Sequence, residues 1–102
     1  MTKFGLENRH LDFIKNTLNK YFKDFDACFY IFGSRSKGSF KEYSDVDIAI
    51  DNHNLKIDDH TISKIALEFE NSTFPYEVDI VDLNAISDKF KSLIKDDLKR
   101  IY

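Results

Sequence analysis

Asp45 and Asp47 stand two residues apart at the head of an apolar run, Ile48-Ala49-Ile50. A small-residue segment, Gly33-Ser34-Arg35-Ser36-Lys37-Gly38-Ser39, lies just upstream. In an extended strand, residues i and i+2 project from one face, about 6.5–7 Å apart along the chain. The two carboxylates can therefore reach one hard cation. Left alone they repel, and one of them tends to keep its proton. Mg²⁺ relieves that conflict, because it prefers oxygen ligands and is shared between carboxylates and substrate phosphates. The glycine–serine segment offers backbone amides and the Ser34 hydroxyl to phosphate oxygens, and Arg35 and Lys37 can offset negative charge. The combined chemistry is that of gripping a nucleoside triphosphate together with divalent metal.

A bare Asp-x-Asp is common and often marks only an exposed acidic turn, so the neighbours decide. Here the acidic pair opens an apolar strand, and a further aspartate, Asp79, interrupts another apolar run between Val78 and Ile80. A carboxylate in such a run is costly to bury unless it is paired or bound to metal. Asp79 is thus the expected third carboxylate. Asp82 shares the segment but lies near its end, where solvent or a helix cap would satisfy it. The spacing from Gly33 to Gly38 fits a P-loop, but Ser39-Phe40 follows where that motif needs Lys and then Ser or Thr. Taken alone the segment reads either as an exposed loop with solubilising charges or as a turn offering amides and the Ser34 hydroxyl to a triphosphate, and the nearby carboxylates favour the second. Phe40 or Tyr43, close to it, could flank a bound nucleotide, while most of the aromatic residues are expected in the core.

Positioning these groups requires a sheet. Leu11, Ile14, Leu18, Tyr21 and Phe22 recur at helical spacing and predict an amphipathic helix over about residues 7–23. Ala27 to Phe32 reads as a short buried strand ended by Gly33. Residues 34–44 read as a loop or single helical turn, and 45–51 as a second strand. Asp58 or Asp59 caps a helix bearing Ile62, Ile65, Ala66 and Phe69. After Pro75, Tyr76 to Leu83 reads as a third strand, and Ser87 caps a last helix with Phe90, Leu93 and Ile94. The tail Leu98–Tyr102 either continues that helix or forms a short edge strand after a break near Asp96-Asp97, and Tyr102 could pack on the sheet or a partner. The order predicts an α/β (α+β) fold, a small mixed β-sheet with helices packed mainly on one face.

The 102 residues predict a single domain spanning 1–102. A chain of that size buries roughly 65% of its unfolded surface. Ten Phe and five Tyr supply much of that core. No length remains for a separate acceptor domain, so an enzyme of this size would meet its acceptor on another molecule. A net charge of −3 argues against broad nucleic-acid binding. The single cysteine, Cys28, excludes an internal disulfide and reads as a small core residue. His10, His53 and His60 form no metal-ligand pattern and read as surface residues. With no apolar leader and no run of transmembrane length, a soluble cytoplasmic protein without membrane contact is expected.

Gly33-Ser34, ten further residues, then Asp45-Val46-Asp47, with the later segment Tyr76 to Leu83, resembles the signature of the DNA polymerase β-like nucleotidyltransferase superfamily. The short chain resembles its minimal nucleotidyltransferase (MNT) domain proteins. That resemblance implies a nucleotidyltransferase fold and transfer of a nucleoside monophosphate, AMP from ATP, to an acceptor hydroxyl with release of pyrophosphate. It implies that Asp45 and Asp47 hold two Mg²⁺ ions, with Asp79 helping to bind the catalytic ion and to deprotonate the acceptor. It implies that Gly33 and Ser34 grip the β- and γ-phosphates, with Arg35 and Lys37 as further nucleotide contacts. Proteins of this type are commonly antitoxins paired with a helical HEPN-domain toxin, which implies AMP transfer to a hydroxyl of that partner. The alternative is a non-catalytic antitoxin that masks its partner sterically. A subunit of a nucleic-acid-directed transferase fits the acidic balance poorly.

Overall fold

The computed structural model describes residues 2–22 and 27–101. It opens with a feature the sequence did not announce, a hairpin of β1 (Thr2–Lys3) and β2 (Leu6–Glu7). Its two-residue turn places Phe4 at φ 60° and Gly5 at φ 71°. Positive φ at both central residues is the requirement of a type I′ hairpin. Phe-Gly is a poor advertisement for that turn, since Asn or Asp ordinarily fills the first position.

Helix α1 (Asn8–Phe22) follows, burying Leu11, Ile14 and Leu18 along one side. The expected span is one residue longer at its start, and Lys23 lies outside the described residues. His10 corrects an expectation. It is buried, one turn before Ile14 on the same stripe, and meets Phe74 and Tyr76 edge-on. Its Nδ1 accepts a hydrogen bond from the Glu7 amide at 3.2 Å, which occupies a donor at the helix entrance. His53 and His60 are exposed, as expected.

The main sheet has four strands: β3 (Cys28–Phe32), β4 (Val46–Asp51), β5 (Val78–Asp82) and β6 (Lys99–Arg100), in the order β5-β4-β3-β6. β3 runs antiparallel to β4 and β6, whereas β4 and β5 are parallel. Parallel neighbours need a crossover, supplied by α3 (Asp59–Glu70). Asp58 caps α3 by accepting from the His60 amide, and Ser87 caps α4 (Asp88–Ile94) by accepting from the Phe90 amide. The tail resolves as a 3₁₀ turn, Lys95–Asp97, followed by edge strand β6. The expectation for Tyr102 lies outside the described residues.

Alternation sorts the strand residues into two cores. Phe29, Ile31, Val46, Ile48 and Ile50 pack with α1, α3 and Leu6 on one face. Phe32, Ala49, Leu83 and Ile94 make a smaller cluster on the other. The larger core carries the fold, and the smaller leaves room beside it for polar groups. Cys28, at the first position of β3, is half-buried rather than wholly internal. No described helix is long and apolar enough to cross a membrane.

Asp82 has a structural task. Its buried carboxylate accepts from the Ile57 amide at 2.6 Å and the Asn84 amide at 2.9 Å, tying the loop before α3 to the end of β5. Asp82→Ala leaves both amides without that acceptor and is expected to cost about 2 kcal/mol. Chemical unfolding of the variant measures this, and an unchanged midpoint would contradict the assignment.

Candidate active site

Val46 and Ile48 are fully buried against α1 and α3. Asp47, between them, must therefore project from the opposite face of β4. Its register partner across the parallel ladder is Asp79. Paired residues on adjacent strands point the same way, about 4.8 Å apart, so the two carboxyl groups stand side by side. Asp45 precedes the first residue of β4 and adds a third negative charge to the same field. Phe32, opposite Asp47 on β3, contributes to the small apolar cluster on this face.

Asp47 is half-buried, whereas Asp45 and Asp79 are exposed. Burial, then the charges of Asp79 and Asp45, and the hydrogen bond with Asp79, push the Asp47 carboxyl from 3.8 up to about 6. Each cause disfavours the ionised form. Among the described residues, no lysine or arginine pairs with any of the three carboxylates. Nor, among the described residues, do three or more His, Cys, Asp or Glu side chains come together where they could jointly hold a metal ion. Hard oxygen donors, excess negative charge and an incomplete ligand shell fit a cation whose remaining ligands come from water and substrate.

Gly33 ends β3 and abuts this cluster. Its φ of 74° and ψ of −152° lie in a region that is essentially glycine-only. A Cβ there would collide with Asp47 Oδ2. The backbone thus passes directly against the central carboxylate. Helical turn α2 (Ser34–Lys37) begins at the next residue; the Ser36 and Lys37 amides both donate to the Gly33 carbonyl at 3.1 Å, and Gly38, at φ 81°, closes the turn. Ser34 is half-buried at its first position, where amide groups lack intrahelical partners.

The two basic residues of the turn, expected as nucleotide contacts, both have partners within the chain. Arg35 is 2% exposed. Its Nε and Nη2 donate to the Ser44 carbonyl at 3.1 and 2.8 Å, and its Nη1 donates to the Phe4 carbonyl at 3.0 Å. The guanidinium lies over Tyr76 at 4.4 Å and Phe40 at 5.3 Å. Three of its donors are therefore engaged inside the protein, together with two aromatic rings. Lys37 is exposed and pairs with Asp97 at 3.4 Å, while Ser36 Oγ donates to the Asp97 carbonyl. Phe40 is thus committed to Arg35, whereas Tyr43 stands 77% exposed two residues before Asp45. Phe4, Tyr76 and Asp97 hold the turn in place. Composition alone did not single them out, because each acts on it from a distant part of the chain.

Residues 13–102 match the family model described as Polymerase beta, Nucleotidyltransferase. The chain is 31% identical over 98 residues to a Haemophilus influenzae protein named Probable protein adenylyltransferase MntA, covering 93% of this chain and 83% of that one. A crystal structure of a toxin–antitoxin with AMP-PNP superposes with a TM-score of 0.75 at 25% identity, over 90% of this chain and 72% of that chain. The MNT antitoxin complex with tri-AMPylated Shewanella oneidensis HEPN toxin gives a TM-score of 0.70 at 22% identity, over 92% and 70%.

Proposed function

Because this chain belongs to the Polymerase beta nucleotidyltransferase family, as an MNT-domain protein, we propose that it transfers AMP from ATP to a hydroxyl of a HEPN-domain partner protein as the antitoxin of a toxin–antitoxin pair. It is a nucleotidyltransferase. The observation that carries it is the pairing of Asp47 with Asp79 directly against Gly33. In the relatives, the names speak of adenylyl transfer, of AMP-PNP and of an AMPylated HEPN toxin. A cytoplasmic setting belongs to the same reading.

Asp45, Asp47 and Asp79 would hold Mg²⁺, two ions in the full site. When bound, the metal supplies Lewis-acid stabilisation of attacking and leaving oxygens in an in-line displacement. The chain's own residues do the rest. The Gly33–Ser34 backbone and the Ser34 hydroxyl seat the β- and γ-phosphates and fix the direction of the leaving group. Asp79, exposed on the outermost strand of the sheet, takes the hydroxyl proton. The acceptor oxygen forms a bond to the α-phosphorus, the bridging bond to the β-phosphate breaks, and pyrophosphate departs. Lys37 and Arg35 serve by holding the turn rather than by direct contact with phosphate.

The test is incubation of the chain with Mg²⁺, labelled ATP and its HEPN-domain partner. Label is expected on a partner hydroxyl, with pyrophosphate as co-product. A partner that is neutralised yet carries no label would favour steric masking instead. Gly33→Ala supplies a second check, because the added Cβ meets the Asp47 carboxylate at a backbone conformation costing on the order of 1–3 kcal/mol. The variant is expected to unfold earlier and to lose at least about tenfold in Mg²⁺–ATP affinity, measured by calorimetry. Wild-type affinity would show that the turn does not position the nucleotide.

A further inference from the structure

The edge of the sheet outside β5 carries chemistry that the carboxylate site does not use. The Val46 amide donates to the Glu77 carbonyl and the Leu83 amide to the Ile50 carbonyl. With the register Val46↔Val78 through Ile50↔Asp82, odd-numbered β5 residues bond to β4, so Val78 and Ile80 direct their N–H and C=O groups outward. Among the described residues no strand lies beyond them. Val78–Asp82 also lacks the Lys or Pro that commonly blunts an open edge. Such an edge invites a further strand.

Two features say what kind of strand. A cavity of about 470 Å³ runs between the end of α3 and this edge, lined by Phe69, Phe74 and Tyr76 with Glu70 and Glu77 at its rim. Both glutamates are exposed, and among the described residues neither forms an ion pair. Val78 and Ile80 face the α1–α3 side, whereas Asp79 faces the carboxylate cluster. An extended segment on this edge would alternate in the same way. One side chain would enter the aromatic trough while the next came up beside Asp79. The trough is also continuous with the turn, since Tyr76 carries the Arg35 guanidinium on its ring.

We propose that the acceptor-bearing segment of the partner protein docks as an added strand on β5, its apolar residue in the Phe69–Phe74–Tyr76 trough, a Lys or Arg against Glu70 and Glu77, and its hydroxyl residue facing Asp79. Main-chain bonds supply affinity and the trough supplies selectivity, as in other strand-addition complexes. This rests on the transfer reading above and assigns the acceptor's path to it.

Amide hydrogen exchange of the full chain tests the docking with Mg²⁺, a non-hydrolysable ATP analogue and the partner protein. The Val78 and Ile80 amides are expected to slow at least about tenfold on adding partner, while Asp79 and Val81, already bonded to β4, change little. In the transfer assay, Glu70→Lys with Glu77→Lys is expected to raise the acceptor KM about tenfold. The kcat, the KM for ATP and the melting temperature should stay near wild type, as both positions are exposed. Unchanged exchange at Val78 and Ile80, or an unchanged acceptor KM, overturns the proposal. Protection that grows with chain concentration alone, alongside a dimer in sedimentation, means a second copy takes the edge and overturns it too. If the wild type transfers no label, the transfer reading fails by itself and exchange still decides the docking.

Discussion

Asp47→Asn should abolish AMP transfer while making the metal-free protein more stable. The activity loss is expected to be on the order of 10³-fold or more, because the side chain removed is the central one of three carboxylates and the one in contact with Gly33. The gain in stability follows from the same crowding. The Asp47 carboxyl is pushed up to about 6 by burial and by Asp79 and Asp45. Its ionised form is thus disfavoured by folding. A folded pKa above the unfolded value gives a contribution that is present below about pH 4 and lost as pH rises through about 6. At pH 7 the wild type carries the full penalty, and the asparagine variant escapes it. Allowing for screening at a half-exposed position, the difference is on the order of 1 kcal/mol, or roughly 4–8 °C in melting temperature.

The comparison between the two proteins isolates this effect. Asp51, held below the usual range chiefly by the Asn54 amide, opposes it in both, since its contribution is lost as pH falls. The gap in melting temperature should therefore be widest above pH 7 and close toward pH 4. Mg²⁺ with nucleotide should raise the wild-type melting temperature and leave the variant unmoved. A variant less stable than wild type at pH 7 would mean that the carboxylate serves the fold rather than the reaction.

The carboxylate pair was legible because its signal is local and periodic. Two aspartates at i and i+2 before Ile48-Ala49-Ile50 fix their own face once the strand is recognised, and Gly33 marks the end of its neighbour. Asp79 could be chosen over Asp82 for a related reason: one interrupts a strand, while the other sits where an end is capped, and Asp82 does accept two amides there. The helices announced themselves by spacing and by Asp58 and Ser87. The hairpin at Phe4-Gly5 did not, because a positive φ at phenylalanine is held from outside by Arg35. His10 misled because polarity outweighed its place on the Leu11–Ile14–Leu18 stripe. Arg35 misled most: a basic residue beside a phosphate-type turn looks like a ligand, and nothing nearby reveals the distant ring and carbonyls that claim it. Residues whose role is set by chain-distant partners are the ones composition and spacing cannot assign.

Arg35→Ala is expected to cost about 3–5 kcal/mol, a large part of the stability of a domain this size. The loss has three sources. The Ser44 and Phe4 carbonyls lose their charged donors, and a buried acceptor left unpaired costs about 1–3 kcal/mol. The faces of Tyr76 and Phe40 lose a cation, worth about 0.5–2 kcal/mol each. A fully buried side chain also leaves a void. Arg35→Lys keeps the charge but cannot bridge Ser44 and Phe4 with a planar fork, and should recover less than half of the loss. Urea unfolding of the three proteins measures this order. Nucleotide affinity, read at low temperature on folded protein, should fall less than about threefold in Arg35→Lys, because the guanidinium is spent on the chain itself. The opposite pattern, wild-type stability with a tenfold or greater loss of nucleotide affinity, would return Arg35 to the phosphates. It would also mean that the loop from Gly38 to Ser44 is anchored by something other than this side chain.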